Sequence, residues 1–258
     1  VTVSPPDQST HFDSKTIKIS FDEFVVLNNP NERVVFSPPL EEMPEFSISR
    51  KSMIIKFKDS LQSNTTYNIA FPDCVKDFTE GNLLSFFNYT FSTGGYIDSF
   101  FVQGEITDAL TLAPATDCFV FLYKENIDSL PYTAQPDYIS KTNKEGKFSF
   151  MNIADGHYKI FALRDVNHNF KYDLPNETIA FQEDLVEASP MCNMDSTYKD
   201  TLLGKKDNFY HLLLFEEVDT TYRKVKMITP REGEAKFIFY QSVEELAIRT
   251  IDTTQTIC

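Results

Sequence analysis

Apolar residues in this chain recur at alternate positions in short runs, the period of a strand with one buried face. Thr16 to Phe21 reads TIKISF, with Ile17, Ile19 and Phe21 on one side. Further runs follow at Phe24–Leu27, Val34–Phe36, Phe46–Ile48, Met53–Phe57, Tyr67–Phe71 and Phe86–Phe91. Turn clusters such as Asn28-Asn29-Pro30-Asn31 and Ser37-Pro38-Pro39 separate them at roughly 8–12 residue spacing, the pattern of a β-sandwich. Asp77 to Leu84 has room for one helical turn. Ser92-Thr93-Gly94-Gly95 is the first clean boundary.

A second series opens at Tyr96. Phe101 to Ile106 reads as a strand. Cys118 to Tyr123, CFVFLY, is almost continuously apolar, which predicts burial on both faces. Phe148 and Phe150 alternate with Lys147 and Ser149. Asp155-Gly156 supplies a turn that needs positive φ, and Tyr158, Ile160 and Ala162 alternate in the return strand. Residues 186–208 are polar and read as a linker or long loop. Tyr210–Phe215, Tyr222–Ile228, Ala235–Tyr240 and Leu246–Ile251 are strand-like, with Thr229 to Glu234 as a turn. The expected architecture is all-β: serial β-sandwich domains at 1–95 and 96–185, then a linker and partial β-domain at 186–258.

Composition sharpens this picture. The chain has 258 residues, 24 Phe, 12 Tyr and no Trp, an aromatic vocabulary that favours strands. A formal charge of −14 argues against nucleic acid and against a basic patch on an anionic membrane. Cys74, Cys118, Cys192 and Cys258 form no CxxC pair, so zinc ribbons and thioredoxin-like chemistry are not expected. No apolar run approaches the roughly 18 residues of a membrane span. The chain opens at Val1 without Met and ends in strand-like sequence, so it is expected to be part of a longer protein.

IKISFDEFVVL (Ile17 to Leu27), VFSPPL (Val35 to Leu40), IIKFKDSLQSNTTYNIAF (Ile54 to Phe71) and YTFSTG (Tyr89 to Gly94) resemble the bacterial Ig-like domain first recognised in S-layer proteins. That resemblance implies a seven-stranded sandwich. GEITDA, the strand to Tyr123, EGKFSFMNI and the following DGHY resemble the carboxypeptidase-regulatory-like, transthyretin-like sandwich. The order of the two modules is similar to that of Bacteroidetes surface lipoproteins. The resemblance implies an outer-membrane lipid anchor ahead of Val1, a location at the cell surface or in the periplasm, and no catalytic activity.

One loop carries candidate metal chemistry. Asp165, Asn167, Asn169 and Asp173 place oxygen side chains at positions 1, 3, 5 and 9, as calcium loops do. The Lys171 carbonyl is a further donor, and Glu177 lies one residue past the usual bidentate position. Phe170 stands where glycine normally makes the sharp turn, and Asn176 where glutamate is expected. The two readings are a weak calcium site and a loop held by Asx turns without metal.

His11, His157, His168 and His211 are isolated in sequence, and no nucleophile elbow, Walker loop or dinucleotide fingerprint is present. Adjacent carboxylates such as Asp22-Glu23 point to opposite faces of a strand. Tyr132, Tyr138, Phe170 and Tyr172 are candidates for a sugar-stacking platform. The expected function is a non-catalytic, exported adhesion or scaffold component that contacts a surface protein or glycan. The alternative is the carbohydrate-binding component of a glycan-uptake system.

Overall fold

The computed structural model describes residues 1–72, 74–83, 87–191, 209–217, 225–231 and 234–239. Residues 1–216 form one compact unit and 217–258 a second. The described fold is all-β with several sheets, as the alternation predicts.

The first sandwich uses β1 (Thr2–Ser4), β2 (Thr16–Ser20), β3 (Val25–Leu27), the short α1 (Pro30–Arg33), β4 (Val35–Ser37), β5 (Glu45–Ser49), β6 (Ser52–Lys56), β7 (Thr66–Phe71), β8 (Val75–Asp77) and β9 (Phe87–Ser92). One sheet has the order β1-β2-β6-β5, a second β4-β7-β9, and β3 pairs with β8. Ile17 faces Ile55 and Ile19 faces Met53 across the β2–β6 ladder. These four pack against Tyr67, Ile69, Phe71, Tyr89 and Phe91 of the opposing sheet. Each such side chain is fully buried and contributes roughly 1.5–3 kcal/mol by leaving water. Where the sequence has room for one helical turn over 77–84, the Gly81 amide donates to the Asp77 carbonyl at 3.2 Å, a single i→i+4 turn, and the Asp77 side chain caps it. Both Asp77 carboxylate oxygens accept amides, from Thr79 at 3.0 Å and Glu80 at 2.7 Å. Leu84 lies outside the described residues.

The second sandwich comprises β10 (Phe100–Asp108), β11 (Phe119–Tyr123), the short α2 (Leu130–Thr133), β12 (Tyr138–Lys141), β13 (Lys147–Ile153), β14 (His157–Arg164), β15 (Thr178–Phe181), β16 (Val186–Glu187), β17 (Ser189–Pro190) and β18 (Phe209–Glu216). Its main path runs β12-β11-β14-β15-β18-β10-β13. All pairings are antiparallel except β10 with β18. The sequence reading put Tyr210–Phe215 in the C-terminal segment. Here β18 lies between β10 and β15, with Leu212 and Leu214 in the interior. Gly104 permits this approach, because a Cβ there would overlap the Tyr210 carbonyl.

The apolar run CFVFLY is buried on both faces, as expected. Cys118, Val120 and Leu122 point into the barrel-like interior, while Phe119, Phe121 and Tyr123 belong to an outer apolar layer. That outer layer is shared with the first sandwich, since Val35 and Ala70 pack into it. The two sandwiches are therefore joined by side-chain packing as well as by the chain. Cys74 and Cys118 are both buried. Cys192 and Cys258 lie outside the described residues.

In the second unit, β19 (Val225–Arg231) pairs with β20 (Glu234–Phe239). The sequence reading ended this strand before Thr229-Pro230. It continues to Arg231 through a register shift after Ile228, an irregularity that suits a proline with no N–H to donate. Leu246–Ile251 lies outside the described residues.

Candidate functional site

The oxygen-rich loop between β14 and β15 does converge, but on N–H donors. Asp165 Oδ1 accepts the His168 amide at 2.7 Å and Oδ2 the Phe170 amide at 2.8 Å. Asn167 Nδ2 and Asn169 Nδ2 donate to the two oxygens of Asp173, at 3.1 and 2.8 Å. Asn167 Oδ1 accepts the Asn169 amide, and Asn169 Oδ1 the Lys171 amide. Glu177 is fully buried. Its Oε1 accepts the Val166 amide at 3.1 Å, and its Oε2 the amides of Asp173 at 3.0 Å and Leu174 at 3.1 Å.

This circuit gives the amides of Val166, His168, Asn169, Phe170, Lys171, Asp173 and Leu174 acceptors within the loop. Calcium would require the Asn167 and Asn169 amides to turn their oxygens toward Asp173. Among the described residues, no three His, Cys, Asp or Glu side chains are grouped as metal ligands. Phe170 adopts the positive φ of 60° that glycine usually supplies at this position.

The polar circuit supports an apolar cap. Phe170 lies edge-on to Phe119 at 5.2 Å and to Phe121 at 6.2 Å, and Tyr172 is buried beside them. The Tyr172 amide donates to the Pro131 carbonyl at 2.9 Å, tying the loop to α2. The proposed sugar platform is therefore corrected. Tyr172 is buried and Phe170 half-buried in the outer layer, and Tyr138 is buried in the interior against Tyr158. Only Tyr132 is exposed.

A different feature has the dimensions of a binding site. A cleft of about 870 Å³ lies between the two sandwiches, within the roughly 300–1,000 Å³ of small-molecule sites. One wall is the outer face of the β4-β7-β9 sheet. The other is the seam between β12 and β13, the two ends of the second sandwich's strand path. No ladder closes that seam. Ser140 Oγ donates across it to the Ser149 carbonyl at 2.7 Å.

Free strand edges are sites of unwanted pairing, and the first sandwich caps these. The Ile139 amide of β12 donates to Ser37 Oγ at 3.1 Å. Asn68 Nδ2 donates to the Met151 carbonyl of β13 at 2.8 Å, and its Oδ1 accepts Thr90 Oγ1 at 2.7 Å, which fixes the amide's orientation. At one mouth, Lys141 Nζ holds Asp117 at 2.6 Å and lies 5.0 Å from the centre of the Phe119 ring. That hydrogen bond keeps the Asp117 carboxyl below its ordinary range.

Eighteen of the twenty-five lining residues are polar or charged, so the cleft suits a polar ligand. Sequence reasoning missed it. Asn68, Asn88 and Thr90 alternate with the buried Tyr67, Ile69, Tyr89 and Phe91, but alternation alone does not say what their face meets. His168 of the polar loop also lines the cleft, which brings the two features side by side.

Comparison with known families agrees with the first sandwich. Residues 1–93 match the family model described as "Bacterial Ig-like domain". No curated protein matches the sequence. Among solved structures, the N-terminal part of the bacterial S-layer protein SbsC aligns at 14% identity with a TM-score of 0.26. The alignment covers 70% of this chain and spans 40% of that chain. A likeness at that score carries no argument about fold or function.

Proposed function

We propose that this chain is a non-catalytic part of an extracytoplasmic β-protein, an adhesion or scaffold component that presents a fixed contact surface at the cell surface or in the periplasm. In this reading the second sandwich is of the carboxypeptidase-regulatory-like, transthyretin-like kind, and a lipid anchor ahead of Val1 attaches the protein to the outer membrane. The observation that carries the proposal is the junction. Val35, Ala70, Ser37 and Asn68 of one sandwich bond or pack into the other, so residues 1–216 form one body and not beads on a string.

The non-catalytic reading is supported by what catalysis needs, a base or nucleophile poised against a second polar group in a water-limited pocket. Cys118 is buried and its thiol is pushed up by burial. His211 bonds Glu105 at 3.0 Å on the surface. The second reading, a carbohydrate-binding component, is favoured by one observation, the polar cleft.

A hydrolase panel and protease shaving of intact cells test the proposal together. The expected result is no turnover and loss of the protein from shaved cells. Hydrolysis abolished by a single carboxylate substitution, or full protection from protease with recovery in the cytosol, contradicts it.

A further inference from the structure

We infer that the cleft between the two sandwiches binds an acidic saccharide, with Arg33 and Lys144 as anion anchors and Asn88 as a contact for sugar hydroxyls. The inference rests on the contact-protein reading above and names its ligand class.

The cleft is lined by three carboxylates and three fixed cations on a chain of net charge −14. Each carboxylate already has a donor: Asp7 takes the Thr90 amide at 2.8 Å, Glu32 the Asn29 side chain at 3.4 Å, and Asp117 the Lys141 ammonium at 2.6 Å. The side chains of Arg33, Lys144 and Asn88 make no hydrogen bond or ion pair among the described residues. The Asp117 carboxyl is held down first by its Lys141 hydrogen bond, and Arg33 lies within electrostatic range and helps. The carboxylates keep spare lone pairs. Among the described residues, however, neither Arg33 nor Lys144 is committed to a hydrogen bond, so the uncommitted fixed charges of the cleft are positive. A ligand that fits supplies acceptors, an anionic group above all.

The rest of the lining selects among anions. Hydroxyl and amide groups such as Ser140, Ser149 and Asn143 suit vicinal hydroxyls, which both donate and accept. The one lining phenyl ring, Phe150, is buried and offers no face for a nucleobase to stack on. An extended acidic peptide that docks by strand addition needs a free strand edge, and one held only by its charges would not use the hydroxyl and amide lining. The edges at the seam are capped by Ser37 and Asn68. Those caps also tie the two walls to one another in a fixed geometry, which lowers the ordering cost of binding.

The test is an array of uronate-bearing and sulfated oligosaccharides, followed by titration calorimetry of the strongest hit, of a neutral oligosaccharide of equal length, and of tetraglutamate. All three are repeated on the Arg33→Ala/Lys144→Ala variant and on Asn88→Ala. The expected result is retention of at least one acidic saccharide. Its binding falls about tenfold or more in the double variant, the scale of a lost charge-assisted hydrogen bond, with an unchanged melting temperature. It falls less in Asn88→Ala. The neutral sugar and the peptide bind at least about tenfold more weakly. The inference is overturned if no acidic saccharide is retained, if the double variant binds as well as the parent, or if the neutral sugar or the peptide binds equally. Any of these leaves the non-catalytic contact reading standing. Hydrolysis of an array sugar by the parent protein would instead remove that reading.

Discussion

Asn68 Nδ2 in the first sandwich donates to the main-chain carbonyl of Met151 in the second, at 2.8 Å. Thr90 holds the same amide from behind through Asn68 Oδ1. A strand edge that would otherwise be open is closed by a side chain 83 positions earlier in the chain.

Removing that side chain leaves a carbonyl and a threonine hydroxyl without their partner. Asn68→Ala should destabilise residues 1–216 by about 1–2 kcal/mol, the typical cost of a broken, partly buried hydrogen bond. Asn68→Asp should cost more, because it sets an acceptor against the Met151 carbonyl while keeping the size. Urea denaturation measures both.

The polar loop should be self-supporting. Glu177 is buried and accepts three amides. Glu177→Ala strands all three and should cost on the order of 3 kcal/mol, with Glu177→Gln intermediate because one acceptor oxygen remains. Melting in EDTA is the right measurement. A loop that needs calcium would already be loose in EDTA, and the substitution would then cost little there. A rise in the parent's melting temperature on adding millimolar calcium would place a cation on the Asp165–Asp173 oxygens.

Much of this was legible in the sequence. Alternation placed Ile17, Ile19, Phe148 and Phe150 in cores, and the unbroken run around Phe121 announced two buried faces. The oxygen spacing from Asp165 to Asp173 located a loop that does fold around its own carboxylates. Two things were not legible, for one physical reason. Alternation reports which face a side chain takes, and strand partners hundreds of ångströms of extended chain apart are set by tertiary packing. Hence β18 read as part of the next segment although it sits beside β10. Hence also the cleft built by Ser37, Asn68 and Arg33 left no mark in the alternation.

Turn geometry makes a sharper demand at Gly146. Its φ is +74°, and a Cβ would lie 2.6 Å from the Ile106 carbonyl oxygen and 3.1 Å from the Ala115 nitrogen, both main-chain atoms that cannot swing aside. Gly146→Ala should cost roughly 1–3 kcal/mol through strain and displacement of the β12–β13 turn. Thermal unfolding checks this, with exposed Gly81→Ala as a control: it shares the positive φ but has nothing within 4 Å.

Alkaline pH should weaken the fold through its buried phenols, since the carboxylates are already ionised. Burial pushes Tyr89 from 10.0 up to about 12, and raises Tyr67, Tyr123, Tyr158 and Tyr210 as well. A raised phenol favours the folded, protonated form. That contribution is whole below pH 10 and is lost as pH climbs from 10 through about 12. Urea midpoints should therefore fall across that window, and Tyr89→Phe should flatten part of the decline at the cost of its hydrogen bond to the Pro5 carbonyl.

The central claim is that the first sandwich closes the seam of the second and so fixes the cleft. Native-state hydrogen exchange of the Ile139 amide tests it most directly. This amide has no ladder partner on the seam side and donates to Ser37 Oγ at 3.1 Å. The account predicts that Ile139 exchanges as slowly as ladder amides of β11, and that Ser37→Ala or Asn68→Ala speeds it while amides at the β10–β13 ladder keep their protection. Rapid exchange of Ile139 in the parent protein, unchanged by either substitution, would mean that the two sandwiches part in solution, and would contradict the account.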